Sequence, residues 1–217
     1  MVARQELGAV AGELPVKEMK KALIVFQKKP EPGKVKTRLA KDIGEEKAME
    51  VYKYLLDHTH KQAQKSGADV FVYFQGGIDA DYGVFAKYFL AHQIEGDLGK
   101  KMEAAFNEVF SYGYQEVLII GSDCQELTSD IIAQAFDSLT NHDLVIGPAL
   151  DGGYYLLGMK KLHAPLFRNK PWSTPAIYEL TSNEANSMGL VTHVLPTLSD
   201  VDVVDDLGKL KEIFDIP

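Results

Sequence analysis

The chain has 217 residues, 46% of them hydrophobic, and a formal net charge of -8, with 31 acidic residues against 23 lysines and arginines. This length and apolar content allow one large core, so we expect a single domain over residues 21–217, preceded by an extension of residues 1–20. The acidic balance argues against a general nucleic-acid binder, because contacts to a phosphate backbone require a basic face.

No apolar run approaches the ~20 residues that a membrane-spanning helix needs, and the first residues lack the apolar core of a secretory signal. The single cysteine, Cys124, cannot form an internal disulfide, which fits a reducing compartment. We therefore expect a cytoplasmic protein with no membrane span.

The first strong structural signal is the apolar run from Ala22 to Phe26, which predicts a strand buried on both faces. Pro30, Pro32 and Gly33 end this strand abruptly. The segment that follows, here called the basic loop (residues 28–38), is rich in positive charge: Lys28, Lys29, Lys34, Lys36 and Arg38. Such a cluster in an acidic chain suits a phosphorylated small molecule. The alternative is a solvated loop without a ligand.

Strands and helices alternate along the rest of the chain. Apolar residues at helical spacing predict helices over 44–66, 82–90, 97–110, 128–139, 172–187 and 203–214. Buried or β-branched runs predict strands over 69–74, 92–96, 116–122, 143–148, 154–159 and 191–195. Asp97 is expected to cap the third of these helices, and Thr128 or Ser129 the fourth. This alternation predicts an α/β fold with a mostly parallel sheet covered on both faces.

Aspartates follow three of the predicted strands. Asp123 directly follows the strand at 117–122, and Asp151 opens an Asp-Gly-Gly turn after the strand at 143–148. Four more follow the last strand, and Asp202 is the one for which we predict a function: Asp200, Asp202, Asp205 and Asp206. Oxygen ligands from separate strand ends suit Mg²⁺ or Mn²⁺, so we predict a metal at Asp123 and Asp202.

Each of these residues also has a structural interpretation. Asp123 is a candidate helix cap, although Gly121 and Ser122 before it would let a ligand approach the backbone closely. Asp151 stands in a turn sequence that any β-rich protein can contain.

Tryptophan, histidine and cysteine are three further residue types that can serve a function. Trp172 is a candidate for stacking on a base or a sugar, or for filling the core. The six histidines show no zinc spacing, and Cys124 has no neighbouring histidine in the sequence that would make it a nucleophile.

Several blocks in order resemble a bacterial family of nucleotide-diphospho-sugar transferases with a glycosyltransferase-A-like fold. The resemblance covers about Lys21 to Leu210 and is distantly shared with the guanylyltransferases of cofactor biosynthesis. It is carried by the following blocks: Pro30-Glu-Pro-Gly-Lys-Val-Lys-Thr-Arg-Leu-Ala, Gly96-Asp-Leu-Gly, Ile120-Gly-Ser-Asp-Cys, Gly147-Pro-Ala-Leu-Asp-Gly-Gly-Tyr-Tyr-Leu-Leu-Gly, Trp172-Ser-Thr and Asp200-Val-Asp.

The resemblance implies a Rossmann-like three-layer α/β/α sandwich with a divalent metal at Asp123. It also implies that nucleotide phosphates bind at the basic loop. The nucleotide-binding residues predicted on this basis are Pro32, Gly33, Lys34, Lys36, Arg38, Gly96, Asp97, Ser122, Gly152, Gly153 and Trp172. The chain departs from the family pattern at Lys100-Lys101, Gln125 and Val203, and its acidic motif is a single Asp rather than Asp-x-Asp.

Two reactions suit this pattern. In the first, a sugar passes from a nucleotide-diphosphate donor to a small-molecule acceptor: the metal, Lys36 and Arg38 stabilise the departing diphosphate, and Asp151 deprotonates the acceptor hydroxyl. Tyr154 and Tyr155 would offer ring faces to a sugar. In the second, the nucleotidyl group of a nucleoside triphosphate is transferred to a phosphorylated small molecule and diphosphate leaves. A non-catalytic nucleotide-binding protein is the remaining hypothesis.

Overall fold

A seven-stranded sheet forms the centre of the computed structural model, which describes residues 20–78 and 88–216. The strands are β1 (Lys21–Lys28), β2 (Asp69–Gln75), β3 (Phe89–His92), β4 (Glu116–Ile120), β5 (Leu144–Pro148), β6 (Tyr154–Met159) and β7 (Thr192–Val194). Their spatial order is β3-β2-β1-β4-β6-β5-β7. Only β6 runs antiparallel to its neighbours, β4 and β5, and the other pairs are parallel. The predicted mostly parallel α/β fold is confirmed.

Helices cover both faces of this sheet. They are α1 (Thr37–Ile43), α2 (Glu45–Lys65), α3 (Leu98–Ser111), α4 (Ser129–Leu139), α5 (Ile177–Ser187) and α6 (Leu210–Ile213), with short 3-10 helices at Ala164–Phe167 and Val204–Leu207. One core joins the sheet to α2 and α4 through side chains such as Leu23 and Phe136. The other joins the sheet to α3 and α5 through residues such as Ile24 and Phe106. The result is a three-layer sandwich.

A third, smaller core fixes the end of the chain against α1 and α2. Leu39, Val51 and Leu55 pack there with Val201 and Leu207. Because Val201 is buried in this cluster, the segment around Asp202 is held beside the basic loop although more than 160 residues separate the two in sequence.

Several predicted element boundaries are wrong. The third strand is Phe89–His92 rather than 92–96; most of the helix predicted at 82–90 lies outside the described residues, and its last two positions belong to β3. The final helix is split, because Gly208 has a left-handed backbone (φ 48°) between Val204–Leu207 and α6. The extension predicted at residues 1–20 also lies outside the described residues, apart from Lys20.

The helix predicted from Trp172 begins only at Ile177. Ser173 takes a left-handed backbone (φ 65°), and Pro175 disfavours a helical backbone at the residue before it. Residues 172–176 therefore form a turn rather than the start of a helix.

Candidate active site

A cavity of about 630 Å³ opens at the carboxyl edge of the sheet, beside the ends of β1 and β4. The chain leaves β1 towards β2 and β3, whereas β4 leads to the opposite half of the sheet. Ligands of open α/β sheets bind where the strand order reverses in this way. The walls of this cavity come from the strand ends, the basic loop, the start of α3 and the segments around Asp123 and Asp202. We call it the donor cavity, after the role proposed for it below.

Lys36 is the most firmly held cation of the basic loop. Its side chain is only 5% exposed, and Nζ lies 2.6 Å from Oδ1 of Asp123 while donating to the carbonyl oxygen of Val201. Its backbone is left-handed (φ 46°) just before α1 begins. A non-glycine residue in that region costs on the order of 1–3 kcal/mol and tends to occur at functional sites. The backbone strain and the burial together make Lys36 a candidate functional residue.

Arg38 forms a second ion pair across the mouth of the cleft. Its Nη1 lies 2.5 Å from Oδ2 of Asp202, and about half or more of each side chain is exposed. Solvent screening leaves such a pair worth only about 0–1 kcal/mol to stability. Its guanidinium is therefore available to a ligand at small energetic cost.

The same loop contains a more exposed lysine, Lys34, and α3 adds one from the other side. Nζ of Lys34 lies 2.6 Å from Oε2 of Glu31, and this pair lowers the pKa of the glutamate. Lys101, in the first turn of α3, lines the cavity opposite the loop. A ligand in this cavity would therefore face cations on two sides.

A second cavity of about 440 Å³ adjoins the first and shares Arg38, Leu98, Ser173 and Asp202 with it. We call it the acceptor cavity, likewise after the role proposed for it below. Its remaining walls are acidic, aromatic and apolar: Asp151, Gly153, Tyr154, Trp172, Thr174, Pro175, Ile177 and Asp200. The Arg38–Asp202 ion pair lies where the two cavities meet.

Negative charge accumulates around Asp200. Burial, followed by the nearby carboxylates of Asp123 and Asp151, raises the pKa of Asp200 to about 7. Asp151 is held by its own turn, since its Oδ1 accepts a hydrogen bond of 2.8 Å from the backbone N–H of Gly153. Carboxylates from three different segments therefore gather at one end of the cleft, as the sequence predicted from their positions after strands.

Close backbone packing shapes the wall of the acceptor cavity. The indole Nε1 of Trp172 donates to the carbonyl oxygen of Phe167 (3.3 Å), and the ring lies against Gly99, where any added Cβ would overlap it. Gly152, with φ 86°, packs directly against the carbonyl of Pro175. These two glycines allow the Trp172 turn to lie on both α3 and the Asp151 turn.

The residues present fit a hydrated divalent metal better than an all-protein cage. No group of three or more His, Cys, Asp or Glu side chains within residues 20–78 and 88–216 is arranged to hold an ion. Asp123 and Asp202 nevertheless lie on adjoining segments, since the Val201 N–H donates to the Asp123 carbonyl (2.9 Å). Mg²⁺ commonly takes only one or two protein carboxylates and completes its shell with water and substrate phosphates. Because Asp123 pairs with Lys36 through Oδ1 and Asp202 pairs with Arg38 through Oδ2, a metal would bind through the other oxygen of each carboxylate.

Not all of the predicted residues reach the cleft. Lys34, Lys36, Arg38, Ser122, Asp123 and Asp202 line the donor cavity, and Asp151, Gly153 and Trp172 line the acceptor cavity. The predicted residues that line neither are Pro32, Gly33, Gly96, Asp97 and Gly152. Asp97 instead caps α3, as expected, accepting from the Lys100 N–H (2.8 Å).

Tyr155 corrects one expectation, since it does not present a ring face to the cleft. Successive residues of a strand point to opposite faces of the sheet, and Tyr154 lines the acceptor cavity. Tyr155 is buried on the opposite face, in the core formed with α2 and α4, and its hydroxyl donates to the carbonyl of Pro196. Cys124 is also buried, and burial raises the pKa of its thiol to about 12, which fits the expectation that it is not a nucleophile.

Sequence reasoning assigned no role to several residues that line the donor cavity: Phe26, Gln27, Tyr52, Gln75, Gln93, Leu98, Lys101 and Ser173. Lys101 had a signal, because it departs from the family pattern just inside a predicted helix. The glutamines had none, since a polar residue at a strand end is common in any fold. Among the described helices, none is long and apolar enough to cross a membrane.

A family model described as "Uncharacterized protein conserved in bacteria (DUF2064)" matches residues 58–174. No curated protein matches the chain. A solved structure from Desulfovibrio desulfuricans G20, named a "putative nucleotide-diphospho-sugar transferase", is 32% identical, with 90% of this chain and 87% of that chain covered and a TM-score of 0.83. These matches confirm the family resemblance noted in the sequence.

Two more distant structures share the fold. The Rv0371c protein of Mycobacterium tuberculosis H37Rv, solved in complex with manganese, is 12% identical, with 89% of this chain and 99% of that chain covered and a TM-score of 0.56. A CMP:2-keto-3-deoxy-manno-octonic acid synthetase complexed with CTP is 9% identical, with 90% of this chain and 98% of that chain covered and a TM-score of 0.54. At these identities the likeness concerns the fold alone.

Proposed function

The chain belongs to the bacterial DUF2064 family and is a transferase, and we propose that it moves a sugar from a nucleotide-diphosphate-sugar donor to an acceptor hydroxyl, assisted by Mg²⁺ or Mn²⁺. The observation that carries the proposal is the pair of joined cavities, one lined by cations and the other by carboxylates and aromatic rings. A diphosphate suits the first, and a hydroxyl-bearing acceptor suits the second. The name of the relative from Desulfovibrio desulfuricans supports the same reaction class.

The cations of the donor cavity would stabilise the leaving diphosphate. Charge on that group grows as the bond to the sugar breaks, and fixed positive groups lower the barrier most when they are already in place. Lys36 is held by Asp123 and Val201, so it needs little reorganisation. Arg38 can add two parallel hydrogen bonds to phosphate oxygens.

Asp123 and Asp202 would hold the divalent metal. When bound, the metal supplies Lewis-acid neutralisation of the diphosphate charge. The manganese complex of the distant M. tuberculosis structure is consistent with this use of the fold.

Asp151 would act as the general base on the acceptor. It lines the acceptor cavity, and its Oδ1 is fixed by the Gly153 N–H. A carboxylate held in place within reach of a hydroxyl can accept its proton in the transition state.

Nucleotidyl transfer from a nucleoside triphosphate is the second candidate. It is favoured by the position of the basic loop, which directly follows β1 and carries a strained, buried lysine into the cavity. The CTP complex of a protein with the same fold points the same way.

Identification of the leaving group tests the two reactions. The protein would be incubated with Mn²⁺ and either nucleotide sugars or nucleoside triphosphates, together with pooled acceptors, and the products resolved by mass spectrometry. Sugar transfer predicts release of a nucleoside diphosphate, with activity reduced by at least about 100-fold in Asp123→Asn and unchanged in Asp130→Asn, an exposed aspartate of α4 that lines neither cavity. Release of inorganic diphosphate from triphosphates alone would contradict it.

A further inference from the structure

The acceptor cavity is poor in available positive charge. Asp151, Asp200 and Asp202 contribute carboxylates to its lining, and Arg38 is the only basic side chain among the described residues that line it. That guanidinium pairs with Asp202 at 2.5 Å, and in the proposed reaction it turns to the diphosphate in the donor cavity, so it does not serve the acceptor. The donor cavity next to it is the opposite, since four lysines join Arg38 in its lining: Lys28, Lys34, Lys36 and Lys101.

The rest of the acceptor cavity offers apolar surface. Trp172 and Tyr154 contribute rings, and Leu98 and Ile177 contribute aliphatic groups. Because the indole N–H of Trp172 is engaged by the carbonyl of Phe167, what the indole offers a ligand is its ring surface. Carboxylates accept hydrogen bonds from hydroxyl groups, and aromatic rings pack against the C–H face of a sugar ring.

We propose that the acceptor cavity binds an uncharged polyhydroxyl compound, such as a sugar or polyol, and rejects its phosphate ester. This inference rests on the proposed function, because it takes the second cavity to be the acceptor side. A phosphate dianion placed there would meet the carboxylates of Asp151 and Asp200 and, beyond them, the diphosphate of the donor, while Asp202 is already paired with Arg38. Like charges brought together in this way repel each other, and we expect this repulsion to weaken binding of the ester by about tenfold or more.

Trp172 provides a direct readout, because it is the one tryptophan of the chain and lies in the cavity wall. The donor cavity would first be saturated with inorganic diphosphate, so that a phosphate ester cannot bind there instead. Glucose and glucose 6-phosphate, then glycerol and glycerol 3-phosphate, would be titrated while the emission of Trp172 is followed. The neutral member of a pair is expected to bind at least about tenfold more tightly than its ester.

Charge repulsion predicts two further effects that a difference in ligand size would not produce. Raising the salt from about 0.05 M to about 0.5 M should tighten ester binding severalfold, since it shortens the screening length, and leave neutral ligands unaffected. Asp151→Asn should also tighten ester binding. The matched variant Asp205→Asn, which removes an exposed carboxylate of the same region that lines neither cavity, should not.

The outcomes separate the two proposals. Esters that bind as well as or better than the parent sugars would overturn the acceptor inference and leave the proposed function standing if inorganic diphosphate still binds. The acceptor inference is also overturned if neither glucose nor glycerol changes the emission of Trp172. Failure of inorganic diphosphate to raise the melting temperature would instead count against the proposed function itself.

Discussion

Gly99 offers a sharp test of how the wall of the acceptor cavity is built. A glycine inside a helix normally costs about 1 kcal/mol relative to alanine, so Gly99→Ala in α3 should stabilise the protein if propensity alone mattered. The structure predicts the opposite sign. A Cβ at this position would overlap both the indole nitrogen of Trp172 and the carbonyl oxygen of Phe167.

The size of the effect follows from two opposing contributions. Forcing an extra methyl group into a packed site costs about 1–3 kcal/mol, and the gain in helix propensity offsets about 1 kcal/mol of that. The net loss is therefore up to about 2 kcal/mol. For a chain of this length, each kcal/mol corresponds to roughly 2–4 °C in melting temperature, so we expect a decrease of up to about 8 °C.

The assay combines thermal unfolding with the emission spectrum of Trp172. Displacing the indole breaks its hydrogen bond to Phe167 and exposes it to water, so the emission should shift to longer wavelength. Asn107→Ala is the matched control, because Asn107 is exposed on the same helix and gains propensity without a clash. The reasoning is refuted if Gly99→Ala raises the melting temperature as Asn107→Ala does and leaves the emission unchanged.

Two further predictions concern stability. Burial lowers the pKa of His60 to about 4, whereas in the unfolded chain it is about 6.5. Between these two pH values the unfolded chain therefore binds a proton that the folded protein does not. The free energy of unfolding should be highest above pH 6.5 and decrease by about 3 kcal/mol as the pH falls to 4. Denaturant unfolding of His60→Gln should show a correspondingly shallower pH dependence, and equal slopes for variant and wild type would disprove this account. Gly152 has φ 86°, and Gly152→Ala would place a Cβ against the carbonyl of Pro175, so this change should lower the melting temperature and weaken sugar binding. Gly113 has a similar φ but open space around it, so Gly113→Ala should lower the melting temperature without affecting sugar binding.

The architecture could be predicted because each strand and helix has its own local signal. The core strands are continuous apolar runs, and α3 and α4 begin at Asp97 and Thr128, which cap them as expected. The antiparallel insertion of β6 between β4 and β5 could not be predicted, since it depends on long-range pairing. The split at Gly208 and the turn at Ser173 were missed for another reason: a left-handed backbone at one residue overrides an otherwise helical pattern. The domain limits at residues 1–20 and 21–217 stay a prediction.

The candidate site could be predicted in part, because the carboxyl ends of parallel strands meet at one edge of the sheet. That rule predicts that the basic loop, Asp123 and Asp202 lie together, and residues of all three segments line the donor cavity. The rule does not say which side chains pair. Lys36 binds Asp123 and the carbonyl of Val201, 165 residues away, and this depends on how the end of the chain packs on α1 and α2. The contribution of Lys101 likewise follows from the placement of α3.

Calorimetric binding of nucleoside diphosphates with Mn²⁺ tests the central claim most directly. Wild type would be compared with Lys36→Met and with Lys41→Met, an exposed lysine of α1 that lines neither cavity, after circular dichroism has shown that both variants are folded. A hydrogen bond to a charged group contributes about 1.5–3 kcal/mol, so Lys36→Met should weaken binding by roughly tenfold or more while Lys41→Met leaves it unchanged. Equal affinities for all three proteins would contradict the assignment of the donor cavity as the diphosphate site.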